Sequence, residues 1–127
     1  MKPALPLLSA MLALTGCAHN SARTPVREGP ARLGETVSVD GPSVRPIRVI
    51  EDSRCPENAR CIWAGRLVLR TVVSGGRWSR KMDLTLGQPA QIADGALTLV
   101  SALPEKSATH PTKPGDYRFA FAFQGGL

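Results

Sequence analysis

The chain reads as all-β: a small antiparallel β-sandwich or barrel of about six or seven strands. Three observations predict this. Apolar and β-branched residues recur in short runs closed by Gly, Pro, Asp or Ser. Inside several runs, apolar and polar residues alternate with period two. No stretch sustains the helical spacing of an amphipathic helix.

Thr36 to Val39 forms the first strand, ended by Asp40-Gly41-Pro42. Val44 to Ile50 follows, and Pro46 within it marks an edge position or a bulge, because proline has no amide to give to a ladder. Ile62 to Val73 is a long run that Ser74-Gly75-Gly76 turns into Arg77 to Leu86, a hairpin pattern. In the second arm Trp78, Met82, Leu84 and Leu86 share one face, and Arg77, Ser79, Lys81, Asp83 and Thr85 share the other. Gly87-Gln88-Pro89 breaks that arm, Gln91 to Ala93 is a short strand, and Asp94-Gly95 leads into Ala96 to Leu103. A loop from Pro104 to Gly115 precedes Asp116 to Gln124, which aligns Tyr117, Phe119, Phe121 and Phe123 on one side. Those four are most of the six aromatic residues, so this strand is expected to run through the centre of the core.

The N-terminus carries a different message. Lys2 supplies a positive start, Ala4 to Leu14 is apolar apart from Pro6 and Ser9, and small residues then precede Cys17. This is the layout of a secretory signal, and it is too short to span a hydrocarbon core about 30 Å thick. Leu14-Thr15-Gly16-Cys17 resembles the lipobox of bacterial lipoproteins. The resemblance implies cleavage just before Cys17 and multiple acylation at that residue, which would hold it to a membrane far more firmly than one chain. The organisation that follows is a signal peptide over 1–16, a flexible tether over 17–33 and a β domain over 34–127. The tether has no periodicity and would reach roughly 20–25 Å; His19 within it is a solvated bystander. Ala18 is not the aspartate used for inner-membrane retention in enteric bacteria. The expected address is therefore the cell envelope, in the outer membrane facing the periplasm.

A formal net charge of +6 is mildly basic. Secretion removes nucleic acid as a partner and leaves a slight attraction to anionic headgroups or cell-wall polymers. With Cys17 consumed by lipid, Cys55 and Cys61 remain as an even pair in an oxidising compartment, which predicts a disulfide. Closing so short a loop is worth about 2.4 kcal/mol in the chain-entropy model.

The densest segment is Asp52-Ser53-Arg54-Cys55-Pro56, then Glu57-Asn58-Ala59-Arg60, then Cys61-Ile62-Trp63-Ala64-Gly65. Pro56 restricts Cys55 to extended geometry, and Asp52 is placed to accept hydrogen bonds from loop amides. Trp63, two residues past Cys61, falls on the same side of its strand and is expected to lie over the disulfide as a lid. The segment resembles a family of small secreted or lipid-anchored bacterial proteins that carry D-S-R-C-P and then C-x-W-x-G. That resemblance, looser over the rest of 34–127, implies a fold and an address but no reaction.

Alternatives for this segment stand beside the plain reading of a stapled loop braced by Asp52, Pro56 and Trp63. Arg54, Glu57, Asn58 and Arg60 are the candidate contacts if the loop is presented to a partner. Glu51, Asp52, Glu57 and Asn58 offer oxygens to a hard cation, though not at EF-hand spacing. A redox thiol pair lacks the tight C-x-x-C turn. Catalytic groups are sparse: His110 is the single histidine after the tether, in an exposed Thr-His-Pro loop. No metal set or phosphate cradle is legible, and no cofactor is expected. The expected function is therefore a membrane-anchored envelope lipoprotein with a structural or binding role, not an enzyme. Its expected partners are the membrane, through lipid on Cys17, and an envelope protein or cell-wall polymer. The alternative is an inhibitor or sensor that meets a periplasmic or host hydrolase through the 52–63 loop.

Overall fold

A computed structural model describes residues 28–125, together with Pro3, Ala4 and Gly16. The lipidation residue Cys17 and the cleavage and tether assignments up to residue 27 lie outside the described residues.

Seven strands form two antiparallel sheets: β1 (Val37–Ser38), β2 (Ser43–Asp52), β3 (Leu67–Gly75), β4 (Trp78–Thr85), β5 (Ala90–Ile92), β6 (Gly95–Leu103) and β7 (Arg118–Gly125). The first four make one sheet in the order β1-β2-β3-β4, and the last three make the other in the order β5-β6-β7. Neither sheet closes on itself. The architecture is thus a sandwich of two successive meanders, and it settles the choice between sandwich and barrel. A single 3₁₀ turn, Pro114–Asp116, precedes β7.

One apolar cluster lies between the sheets. Val37, Val44, Leu67, Leu69, Val73 and Leu84 come from the first sheet, and Ile92, Leu97, Leu99, Ala102 and Phe119 from the second. Burying each such side chain is worth about 1.5–3 kcal/mol, which makes this the main source of stability. The start of the crossover is tied to both sheets. The Leu86 amide donates to the Leu67 carbonyl at 2.9 Å, while the next amide, Gly87, donates to Leu99 on the opposite sheet at 2.8 Å.

Sequence and structure differ in four places. The long run from Ile62 becomes a strand only at Leu67. The aromatic strand β7 lies at the edge of its sheet, beside β6; only Phe119 is completely buried, and Phe121 and Phe123 pack against the core from its margin. Trp78 shares the inward face of β4 with Leu84 but is 39% exposed, because it stands at the open end of the sandwich. Residues 31–33, expected in the tether, also belong to the domain. Ala31 is fully buried and exchanges two backbone hydrogen bonds with Phe119, at 2.8 and 2.9 Å, and Leu33 packs on the core. The domain therefore begins by residue 31, where the chain covers part of the free edge of β7.

Pro46 does mark a bulge. The β2–β3 register runs Arg45↔Val72, Pro46↔Thr71, then Arg48↔Arg70, skipping one residue of β2. A bulge reverses the alternation of faces, so Arg45 and Arg48 come to the same side of the sheet. That side is the outer one, since Pro46 and Thr71 between them are buried.

Candidate functional site

The segment between β2 and β3 continues the β2–β3 hairpin beyond the sheet. The Ser53 amide donates to the Arg66 carbonyl at 2.8 Å, the Arg66 amide donates back to Ser53 Oγ at 3.0 Å, and the Cys55 amide donates to Ala64 at 3.0 Å. Gly65 makes this close pairing possible. Its φ is +68°, and a side chain there would collide with the Ser53 carbonyl. Farther out, the Ala59 amide bonds the Pro56 carbonyl at 3.1 Å, and the Cys55–Cys61 disulfide closes the tip with the two Cα atoms 5.8 Å apart. The sulfurs are joined to each other, so the thiol-pair reading does not describe this state.

At the base of the loop lies the most organised polar cluster among the described residues. Arg54 grips Asp52 bidentately, Nε to Oδ1 at 2.8 Å and Nη2 to Oδ2 at 2.9 Å. Its remaining donors reach the other sheet: Nη1 to the Ala102 carbonyl at 3.0 Å and Nη2 to the Pro104 carbonyl at 3.3 Å. The Tyr117 hydroxyl donates to Asp52 Oδ2 at 2.8 Å, and Lys106 Nζ donates to the Asp52 backbone carbonyl at 2.6 Å. The Tyr117 ring stacks on Phe119 with centroids 5.4 Å apart. One carboxylate thus ties the end of β2 to the end of β6 and the start of β7.

The electrostatics follow from this geometry. The side chains of Asp52 and Arg54 are only 11% and 12% exposed. Burial alone would raise the Asp52 pKa, but the hydrogen bonds from Arg54 and Tyr117 and the charge of Arg54 outweigh it and hold the carboxyl below its ordinary value. Tyr117 is pushed up to about 12, first by burial and then by the carboxylate that accepts its proton. Among the described residues no buried side-chain polar atom lacks a hydrogen-bond partner.

The structure separates the residues that the sequence grouped together. Asp52 is a brace, though its partners are side chains and not the loop amides expected. Arg54 is not available to a partner: both faces of its guanidinium fork are engaged inside the protein. Asn58 is exposed, yet its Oδ1 accepts the Ala108 amide at 2.9 Å and holds the 104–113 segment alongside the loop. The Glu57 backbone amide joins the same contact through the Lys106 carbonyl at 2.8 Å. The side chains of Glu57 and Arg60 are exposed, and Pro56 is half-buried at the turn. Trp63 is not a buried lid. With no strand over 53–66, the alternation that put it beside Cys61 does not hold, and it stands 64% exposed next to a fully exposed Ile62.

Of the oxygens proposed for a cation, those of Glu51, Asp52 and Asn58 are engaged elsewhere. Glu51 accepts from Arg66 at 2.7 Å and from Ser53 at 3.1 Å, and Asp52 is held as above. Among the described residues no three His, Cys, Asp or Glu side chains gather closely enough to hold a metal ion. His110 is exposed with Nδ1 2.9 Å from Thr109 Oγ1, in a loop whose turn is built by Ser107. No local signal marks Tyr117 as a member of the cluster, since it lies 65 residues from Asp52. No family model, curated protein or solved structure matches this chain.

Proposed function

We propose that this protein is a lipid-anchored domain of the bacterial cell envelope that works by binding and not by catalysis. The observation that carries the reading is Leu14-Thr15-Gly16-Cys17 at the end of a short apolar run behind Lys2. That order of a positive start, an apolar stretch, small residues and a cysteine suits cleavage before Cys17 and acylation of its thiol. The outer membrane, facing the periplasm, is the proposed site. The chemistry of the 52–66 region favours binding over turnover. A general acid or base works best with a pKa near the working pH, whereas Asp52 and Tyr117 are moved in opposite directions away from neutrality. The cluster serves to hold a loop in place.

Fractionation of cells carrying wild type or Cys17→Ala tests the anchor. Wild type is expected in the membrane fraction and the variant in the soluble one. Retention of the variant in the membrane would sink the proposal.

A second reading, an inhibitor or sensor that docks through the 52–63 loop onto a hydrolase of the periplasm or host, has one observation in its favour. Ile62 and Trp63 project from a tip held by a disulfide at its end and by the Asp52 cluster at its base. A pre-ordered tip loses little conformational entropy on docking, and exposed aromatic residues are common anchors of interfaces. Crosslinking in intact cells should then give partners that disappear with Ile62→Ser/Trp63→Ser, and identical partner sets would remove this reading.

A further inference from the structure

We infer that the outer face of the four-stranded sheet is a docking surface for an anionic lipid bilayer. The bulge after Pro46 brings Arg45 and Arg48 of β2 to that face, where Arg48 stands directly opposite Arg70 of β3. The next row reads Arg45, Val72, Lys81 across three strands, and the row beyond it is Ser43, Ser74, Ser79. Neighbouring strands are about 4.8 Å apart, so four cations occupy a patch only about two strand spacings wide. One carboxylate on these rows, Asp83, is committed to Arg70 at 3.0 and 3.3 Å. Glu51, farther along, is paired with Arg66 at 2.7 Å. Arg45, Arg48 and Lys81 are exposed and form no ion pair among the described residues.

Like charges placed directly opposite one another destabilise a sheet. The Arg48↔Arg70 pair therefore works against folding, and a polyanion would relieve that repulsion. A bilayer is the occupant that fits the shape of the surface. A protein partner would call for a cluster of aromatic or aliphatic anchors, whereas the Arg45 row and the serine row beyond it offer only half-buried Val72 and serine hydroxyls. Ile50, 40% exposed, is the one large apolar side chain that β2 exposes. A field of cations with so little apolar surface suits diffuse attraction to headgroup phosphates, in which each Lys or Arg near the surface strengthens binding about fivefold.

The test uses the full chain with Cys17→Ser, so that failure of this surface and failure of the proposed lipid anchor are read separately. Sedimentation with vesicles of phosphatidylglycerol in phosphatidylcholine is compared with phosphatidylcholine alone, which reports any adsorption through the N-terminal apolar run. Binding to the anionic vesicles is expected, weakening as salt rises. Arg45→Ser/Arg48→Ser/Lys81→Ser should lower it about a hundredfold. Arg60→Ser/Arg80→Ser/Lys113→Ser, which removes equal charge from exposed positions off this face, should lower it far less. Equal losses in the two variants, or equal binding to the two kinds of vesicle, would overturn the proposal. If the triple variant does not fold, Arg48→Ser and Arg45→Ser singly should each show a step of about fivefold, and no step in either would be as damaging.

Discussion

Arg54 and Arg48 are the same residue type a few positions apart, and the molecule uses them in opposite ways. Arg54 is nearly buried, shared between a carboxylate on its own strand end and two carbonyls of the other sheet. Arg48 lies in the open, facing another arginine. The densest motif in the sequence is thus internal carpentry, and its polar groups are saturated by one another. Arg45, Arg48 and Lys81, without an ion-pair partner among the described residues, sit where the sequence has no motif at all. Density of pattern tracks structural constraint here, and the proposed docking surface rests on charge left unbalanced beside a bulge.

The contrast is most exposed to test at Asp52. Removing one partner of a buried, hydrogen-bonded pair leaves the other charge stranded, at about 3–5 kcal/mol. Asp52→Ala should therefore lower stability by about that much in urea unfolding, a large part of the total for a domain of this size. Asp52→Ala/Arg54→Met should lose less than the two single changes added together, because the stranded guanidinium is gone. A loss under about 1 kcal/mol for Asp52→Ala would put Arg54 and Arg48 in the same class.

The tip of the loop comes next. Cys55→Ser/Cys61→Ser should cost about 2.4 kcal/mol in the chain-entropy model while leaving the sandwich folded, since neither cysteine belongs to the apolar cluster. No change in stability on replacing both cysteines would show that the clamp at the base already orders the tip.

The cluster should also respond to pH at both extremes. Asp52 has a lowered pKa in the folded state, so the stability it contributes is present above the ordinary carboxylate range and is lost as pH falls through the folded value. Tyr117 has a raised one, about 12 against an ordinary 10, so its contribution is present below pH 10 and is lost as pH rises from 10 towards 12. Tyr117→Phe should flatten the alkaline limb of the stability profile and Asp52→Asn the acid limb. An unchanged alkaline limb in Tyr117→Phe would mean that the hydroxyl is not coupled to folding.

The smallest effect belongs to the outer face. Arg48→Thr relieves a like-charge pair and should raise stability by a few tenths of a kcal/mol, roughly 0.2–0.5, more at low salt than at high. A loss of stability would mean that Arg48 has a partner and is not waiting for one.

Much of the fold was legible in the chain because period-two alternation and Gly- or Pro-bearing turns are local signals. Every strand falls within a few residues of its expected place except the start of β3. That start moved because Gly65, in a left-handed conformation, and the paired backbone of Ser53 and Arg66 extend the hairpin without making a regular strand. Non-local facts were beyond reach. Nothing near Tyr117 announces that its hydroxyl meets Asp52, and nothing near Ala31 announces that it pairs with Phe119. Arg45 and Arg48 differ by an odd number and read as facing opposite ways, until the bulge that Pro46 hinted at turns them together. The stapled loop was legible as a unit, whereas the division of its side chains between brace and contact depended on the second sheet.

The anchored reading stands or falls on the mass of the intact protein extracted from membranes without reductant. It requires a polypeptide of residues 17–127 that carries added acyl chains at Cys17 and has Cys55 and Cys61 closed to alkylation. A mass beginning at Met1, or a Cys17 free of lipid, would contradict it.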